Sequence, residues 1–211
     1  MPCHTGDVAE HQPVTLRDPS SSVTATYVPA AGMICTSLAD DGVEFLGQRR
    51  GVEAYITSGK TMGVPILYPW ANRLSASKYA IDGGVVTLTP GVAGVRTDEH
   101  GVPIHGVLAA YPGWVVTEEW AGGTAPLGGR ELDHGFDQVD DGALFVLAGG
   151  DRRVEVTFEK GYPAAQLFAP SADDLIAVEP MAAPTDALRR ENYRVAAPGE
   201  PDTSRFSIRV T

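Results

Sequence analysis

ALFVLAGGDRRVEVTF, residues 143–158, is the stretch whose reading decides the fold. The runs Ala143–Leu147 and Arg153–Phe158 flank Gly149-Gly150-Asp151, a composition suited to a tight hairpin turn. Val154, Val156 and Phe158 alternate with Glu155 and Thr157, the period of a strand with one wet face. Similar short runs recur on both sides: Val23–Val28, Met33–Leu38, Val43–Leu46, Val85–Leu88, Trp114–Trp120, Ala164–Phe168, Leu175–Val178 and Phe206–Val210. Asp40-Asp41-Gly42, Asp82-Gly83-Gly84 and Asp140-Asp141-Gly142 supply further turn signals between them. No segment sustains a 3.6-residue apolar period over three turns; Thr185–Asn192 is expected to form one short helical turn with Thr185 as its N-cap. Many short strands with few helices make the chain all-β, of sandwich or barrel type.

Composition agrees. Of 211 residues, 43% are hydrophobic and 20% charged, which supplies a core and excludes a disordered chain. The 24 glycines and 16 prolines break helices more than they break short strands and turns. A formal net charge of −11 disfavours nucleic-acid binding and leaves no polybasic membrane patch. The two cysteines, Cys3 and Cys35, are too far apart for a thiolate zinc motif and too few for a disulfide framework. The start, MPCHTGDVAEHQPV, lacks the basic and apolar regions of a signal peptide. No apolar run approaches the roughly 20 residues a membrane span needs. The expectation is a soluble, cytoplasmic protein with a flexible lead-in over residues 1–13 and a single domain over residues 14–211.

Four segments could carry chemistry. In GVPILYPWANRL, residues 63–74, two prolines and a tryptophan prevent a regular central strand. The resulting bend could present Asn72 and Arg73 beside the face of Trp70, which suits a sugar's hydroxyls and its C–H face. A core bend with a surface arginine is the plainer alternative. TDEHGVPIHGVLAAYPGW, residues 97–114, holds His100 and His105, either of which could transfer a proton or simply sit satisfied in a loop. A metal site from Asp98, Glu99, His100 and His105 is conceivable but disfavoured, because ligands five apart share neither a helix face nor a strand face. RELDHGFDQV, residues 130–139, reads as a turn-like acidic segment with Asp133, His134 and Asp137.

The fourth is LIAVEPMAAPTDAL, residues 175–188. An apolar strand there ends in Glu179, and Pro180 removes a backbone donor and closes the ladder. A carboxylate beside small apolar residues loses hydration, which raises its pKa toward the range of a general base. The alternative is an edge-strand glutamate turned to solvent.

Taken together, these segments resemble the aldose 1-epimerase (galactose mutarotase) family in its bacterial branch. GVPILYPWANRL is similar to the family's Gly-x-Pro-x-x-x-Pro-x-x-Asn-Arg segment, VPIHGVL to its His-Gly segment, and LDHGF to its aspartate segment. YPAAQLFAP followed by IAVEPMAAPTDAL resembles the strand pair that delivers the catalytic glutamate. The four occur in the family's order from Gly63 to the C-terminus. The resemblance implies a galactose mutarotase-like β-supersandwich with an open sugar cleft, interconverting the α and β anomers of a free aldose without cofactor or metal. Glu179 then matches the general base and His105 the first active-site histidine, near the ring oxygen. Arg73 with Asn72 matches the substrate-binding segment, Asp133 matches the aspartate that holds sugar hydroxyls, and Trp70 lies beside them.

The family's chain is longer. Its extra block of strands carries a His-Pro-Tyr-like motif with a second histidine, the general acid, and this sequence contains no such motif. The resemblance therefore implies several missing central strands, with the junction near residues 115–130, and impaired activity. His105 is the expected replacement acid, with His134 a weaker substitute. A non-catalytic carbohydrate-binding domain is the alternative function, and a remnant without sugar function is a third. Oligomeric state is left open.

Overall fold

The computed structural model describes residues 11–48, 50–58, 62–66, 74–87, 96–97, 103–104, 127, 131–172 and 175–211. Its elements are almost all strands, paired antiparallel, with short helices between them. The chain divides into two compact units, Met1–Tyr68 and Pro69–Thr211. Trp114–Trp120, the expected junction at 115–130 apart from Leu127, and the lead-in up to Glu10 lie outside the described residues.

In the first unit, β1 (Val14–Arg17), β2 (Thr24–Val28), β3 (Ile34–Asp40) and β4 (Val43–Glu44) form an antiparallel meander in that order. The β3–β4 turn is Asp41-Gly42, with φ of 47° and 78°. Two consecutive positive φ values are what an Asp-Gly hairpin turn supplies. The core joins Val28, Ala31, Ile34 and Met62, with Val52 and Tyr55 packed against it.

Those last two residues belong to α1 (Gly51–Ser58), a helix that the periodicity did not anticipate. Eight residues make about two turns, too few to display a repeating apolar stripe, and Val52 and Tyr55 are its only members packed on that cluster. Past α1, the chain returns to β3 through paired backbone bonds between Cys35 and Val64, 3.1 and 2.8 Å. Gly63 makes that return possible. Its φ is +52°, and a Cβ there would lie 2.1 Å from the Cys35 carbonyl oxygen.

The second unit holds two three-stranded sheets. One has the order β10-β11-β14: β10 (Ala143–Gly149), β11 (Arg152–Lys160) and β14 (Arg205–Val210). Its β10–β11 hairpin pairs Gly149 with Arg152 across a turn led by Gly150 at φ +61°, as the opening stretch predicts. Val154, Val156 and Phe158 pair with Val210, Ile208 and Phe206 on one face, and Phe158 is fully buried. The other sheet has the order β13-β12-β9: β13 (Ala177–Met181), β12 (Ala164–Ala169) and β9 (Leu132–Phe136). The two layers meet through aromatic rings. Phe136, ending β9, lies 6.4 Å from Phe145 of β10, and Phe145 lies 4.8 Å from Phe158. Tyr162 continues the row to Phe206.

A hairpin of β5 (Lys78–Ile81) and β6 (Gly84–Thr87) turns at Asp82-Gly83, again with both φ positive. The two-residue strands β7 (Arg96–Thr97) and β8 (Pro103–Ile104) also pair antiparallel. The fold is thus all-β and sandwich-like, and none of the described sheets closes into a barrel. Among the described residues, no helix is long and apolar enough to cross a membrane.

Candidate functional site

The strand pair expected to deliver Glu179 forms, with a shifted boundary. β13 runs from Ala177 to Met181, so Glu179 sits in mid-strand, and the ladder continues past Pro180 to Met181 opposite Ala164. β13 lies at the edge of the described sheet, the position where a strand proline is tolerated.

Register decides which side chains meet. Glu179 lies directly opposite Gln166 of β12, and Gln166 lies opposite Gly135 of β9. Asp133 is two residues along β9 from Gly135, paired with Phe168. Since directly paired residues and second neighbours share a face, Glu179, Gln166 and Asp133 project from one side of the sheet. Glu179 and Asp133 are partly buried, while Gln166 is only 1% exposed. The segment LDHGF is therefore a strand and not the acidic turn its composition suggests. Its backbone groups are satisfied by β12, and that pairing outweighs the local turn preference of aspartate.

Gln166 lies on the strand between the two carboxylates and bonds one of them. Its Nε2 donates a short hydrogen bond to Asp133 Oδ1. An ionised carboxylate only accepts, so the amide must present its NH₂ to Asp133. Gln166 Oε1 is then left buried without a partner among the described residues. Two strand spacings, about 10 Å, separate β9 from β13. Gln166 was not singled out at the level of sequence. Its signal was available: a lone polar residue in the apolar run AAQLFA, facing the glutamate once the strands are paired.

His134 faces the other way. It shares its side of β9 with Leu132 and Phe136, the side that packs toward Phe145. Its Nδ1 is buried and has no partner among the described residues. It therefore lies on the opposite face of the sheet from Glu179. Trp70, Asn72, Arg73 and His105 lie outside the described residues.

The expected helical turn after β13 forms as α2 (Ala187–Arg190), but Thr185 does not cap it. Thr185 Oγ1 is buried without a partner among the described residues. Asp186 takes the cap position at φ +64°, and its side chain makes no capping bond. The carboxylate reaches Ser75 instead: Ser75 N–H donates to Oδ1 at 2.8 Å and Ser75 Oγ to Oδ2 at 2.7 Å. Arg189 donates to Ser75 Oγ, and Arg189 and Arg190 lie 3.7 and 3.8 Å from Asp186 Oδ2. Leu74 beside Ser75 is 1% exposed. The chain leaving the Asn72-Arg73 segment is thus anchored to the turn that follows the Glu179 strand. Among the described residues, no group of acidic, histidine or cysteine side chains could hold a metal ion.

Comparison with known proteins bears on the fold. No family model matches the chain. No curated protein matches it either. Among solved structures, Slr1438 from Synechocystis sp. PCC 6803 superposes with a TM-score of 0.62 at 16% identity, covering 99% of both chains. At that identity the likeness is one of fold alone.

Proposed function

We propose that the chain is an aldose 1-epimerase-type isomerase, acting in the cytoplasm on a free aldose without cofactor or metal. The observation that carries this reading is the row Glu179–Gln166–Asp133 on one sheet face. Anomer exchange needs a base for the C1 hydroxyl, an acid for the ring oxygen and groups that hold the remaining hydroxyls. Glu179 is the base: it takes the C1 proton, the C1–ring oxygen bond breaks as the ring oxygen is protonated, and rotation and reclosure give the other anomer. Asp133 accepts from sugar hydroxyls, with its carboxylate oriented by Gln166. His105 supplies the acid, and Arg73, Asn72 and Trp70 complete the sugar contacts; these four roles rest on the resemblance of their sequence segments.

A second reading is a carbohydrate-binding domain that holds sugar without proton transfer. It is favoured by the position of His134, the only histidine among the described residues of the second unit, on the face away from Glu179. The deciding experiment follows anomer exchange of α-D-glucose and α-D-galactose by polarimetry. Exchange faster than buffer supports the isomerase. A folded sample that binds aldose by calorimetry but leaves the rate at the buffer value supports the binding domain.

A further inference from the structure

We propose that β10 is an association edge, on which a second copy of this chain pairs antiparallel about a two-fold axis centred at Val146. This edge belongs to the second unit and owes nothing to sugar chemistry.

The ladder on the far side of β11 shows where the backbone of β10 points. Arg153 and Thr211 exchange both backbone hydrogen bonds, at 2.7 and 2.9 Å. The odd-numbered residues of β11 from Arg153 to Thr157 therefore turn their N–H and C=O toward β14. The even-numbered ones, Arg152 to Phe158, serve β10, where they oppose Gly149, Leu147, Phe145 and Ala143. The N–H and C=O of Leu144, Val146 and Ala148 then point away from β11. Among the described residues, no strand lies on that side.

Side-chain exposure marks the same line. Leu144 is 52% and Val146 43% exposed on one face of β10, and Leu147 is 43% exposed on the other. Across the sheet from Leu144 and Val146 stand Thr157 and Glu155, then Ser207 and Arg209. The apolar surface is thus confined to the edge and wraps both faces of one strand. A body seated on either face would leave the other wet, whereas an added strand covers both. The other edges of the described three- and four-stranded sheets are guarded. β14 carries Arg205 and Arg209, β13 Glu179 and Pro180, β9 Asp133 and His134, β1 Arg17 and β4 Glu44. β10 runs for seven residues with neither a charge nor a proline.

The strand itself selects a second copy as its occupant. Asp140 and Asp141 precede it, while Arg152 and Arg153 flank its far end on β11, with Asp151 offsetting one of them. Antiparallel pairing sets the acidic end of each copy beside the basic end of the other. Arg153 shares its charge with Glu155, so main-chain bonds carry the affinity and charge selects the direction. Centring on Val146 puts that residue opposite its own copy and Leu144 opposite Ala148. All three outward-facing residues then exchange backbone bonds, and the leucine fills the space beside the small alanine. Phe145 meets Leu147 on the inner face, so every paired side chain is apolar.

The test uses the full chain in a series from about 1 to 300 µM, a range in which interfaces of modest size associate. Sedimentation velocity is expected to show monomer passing to dimer. Amide exchange followed by NMR should slow with concentration at Leu144, Val146 and Ala148, while Phe145 and Leu147 stay protected throughout. Val146→Lys sets two ammonium groups opposite each other at the axis and should weaken dimerisation at least about tenfold, with Tm within about 2 °C of wild type. Val146→Thr, which keeps strand-forming character without charge, should dimerise within about threefold of wild type. If the lysine lowers Tm further, the wild-type exchange pattern decides alone. A monomer throughout the series would overturn the proposal, as would a dimer that a folded Val146→Lys leaves intact. Exchange at the three amides that does not depend on concentration would overturn it equally: fast exchange places any dimer contact elsewhere, and constant protection assigns the edge to another part of the same chain.

Discussion

Gln166, almost fully buried, hands its amide N–H to the Asp133 carboxylate while lying opposite Glu179 in the strand register. A charge-assisted bond of this kind is worth about 1.5–3 kcal/mol where it cannot be replaced by water. Replacing Gln166 with leucine removes this donor to Asp133 at near-constant volume. Gln166→Leu is expected to weaken aldose affinity by about tenfold or more. Calorimetry would check this, with near-unchanged affinity in a folded variant counting against Asp133 as an oriented sugar ligand.

The two faces of the β13-β12-β9 sheet make opposite predictions for neighbouring residues. Glu179→Gln keeps the shape of the side chain but turns one accepting oxygen into a donating NH₂ and cannot accept the C1 proton. Anomer exchange should fall by about 10²- to 10⁴-fold with aldose binding retained. His134→Gln alters a ring on the far face, where Phe136 packs on Phe145, and should leave kcat/KM within about twofold. Polarimetry on both variants is sufficient, and a large loss from His134→Gln would reverse the assignment of faces.

Much of this arrangement was legible in the residues, and what was not has identifiable causes. The Asp41-Gly42 and Asp82-Gly83 turns read correctly because positive φ values at consecutive positions leave few residue choices. The β10–β11 hairpin read correctly because apolar character and turn chemistry agree there; the β12–β13 pair came from the family resemblance, and its second strand starts two residues later than expected. LDHGF misled because Asp133 and His134 carry turn-like composition, while the decision to form β9 belongs to β12, nearly 30 residues later in the chain. Glu179 was legible as an unusual acid, but Gln166 gained meaning only from register, which sequence does not show. Asp186 was invisible for the same reason: its partner Ser75 is 111 residues away. Local chemistry shows through in sequence, and pairings across long loops do not.

Gly63 opens the GVPILYPWANRL segment, and its requirement is steric. An alanine Cβ would stand 2.1 Å from the Cys35 carbonyl oxygen, a backbone atom that cannot step aside without breaking the Cys35–Val64 pairing. The positive φ adds about 1–2 kcal/mol for any L side chain. Overpacking adds about 1–3 kcal/mol more. Gly63→Ala is expected to lower Tm by about 6–15 °C, measured by calorimetry or circular dichroism. A Tm within about 2 °C of wild type would show that β3 and the Gly63 turn can separate at little cost.

Cys35 and Tyr27 face each other across β2 and β3 and give the first unit an alkaline limit. Burial pushes the Cys35 thiol up from its ordinary range, against smaller opposing effects of the Tyr27 hydroxyl and the Ser37 backbone. Burial likewise raises Tyr27, aided by the neighbouring Cys35, and it raises Tyr55 as well. In each case the folded chain holds the neutral form to higher pH than the unfolded chain does. The associated stability is therefore fully present below the unfolded pKa, about 8.5 for a thiol and about 10 for a phenol, and is lost as pH rises through the folded values. The urea midpoint should be flat from neutral pH to about 8.5 and then decline. Cys35→Ala should shift the start of that decline toward the tyrosine range, because only the phenols then titrate. Thiol-specific alkylation gives an independent check: Cys35, 6% exposed, should react slowly in native buffer at neutral pH and rapidly in urea. Rapid native alkylation of Cys35, with Cys3 replaced by serine to leave a single thiol, would contradict both its burial and its raised pKa.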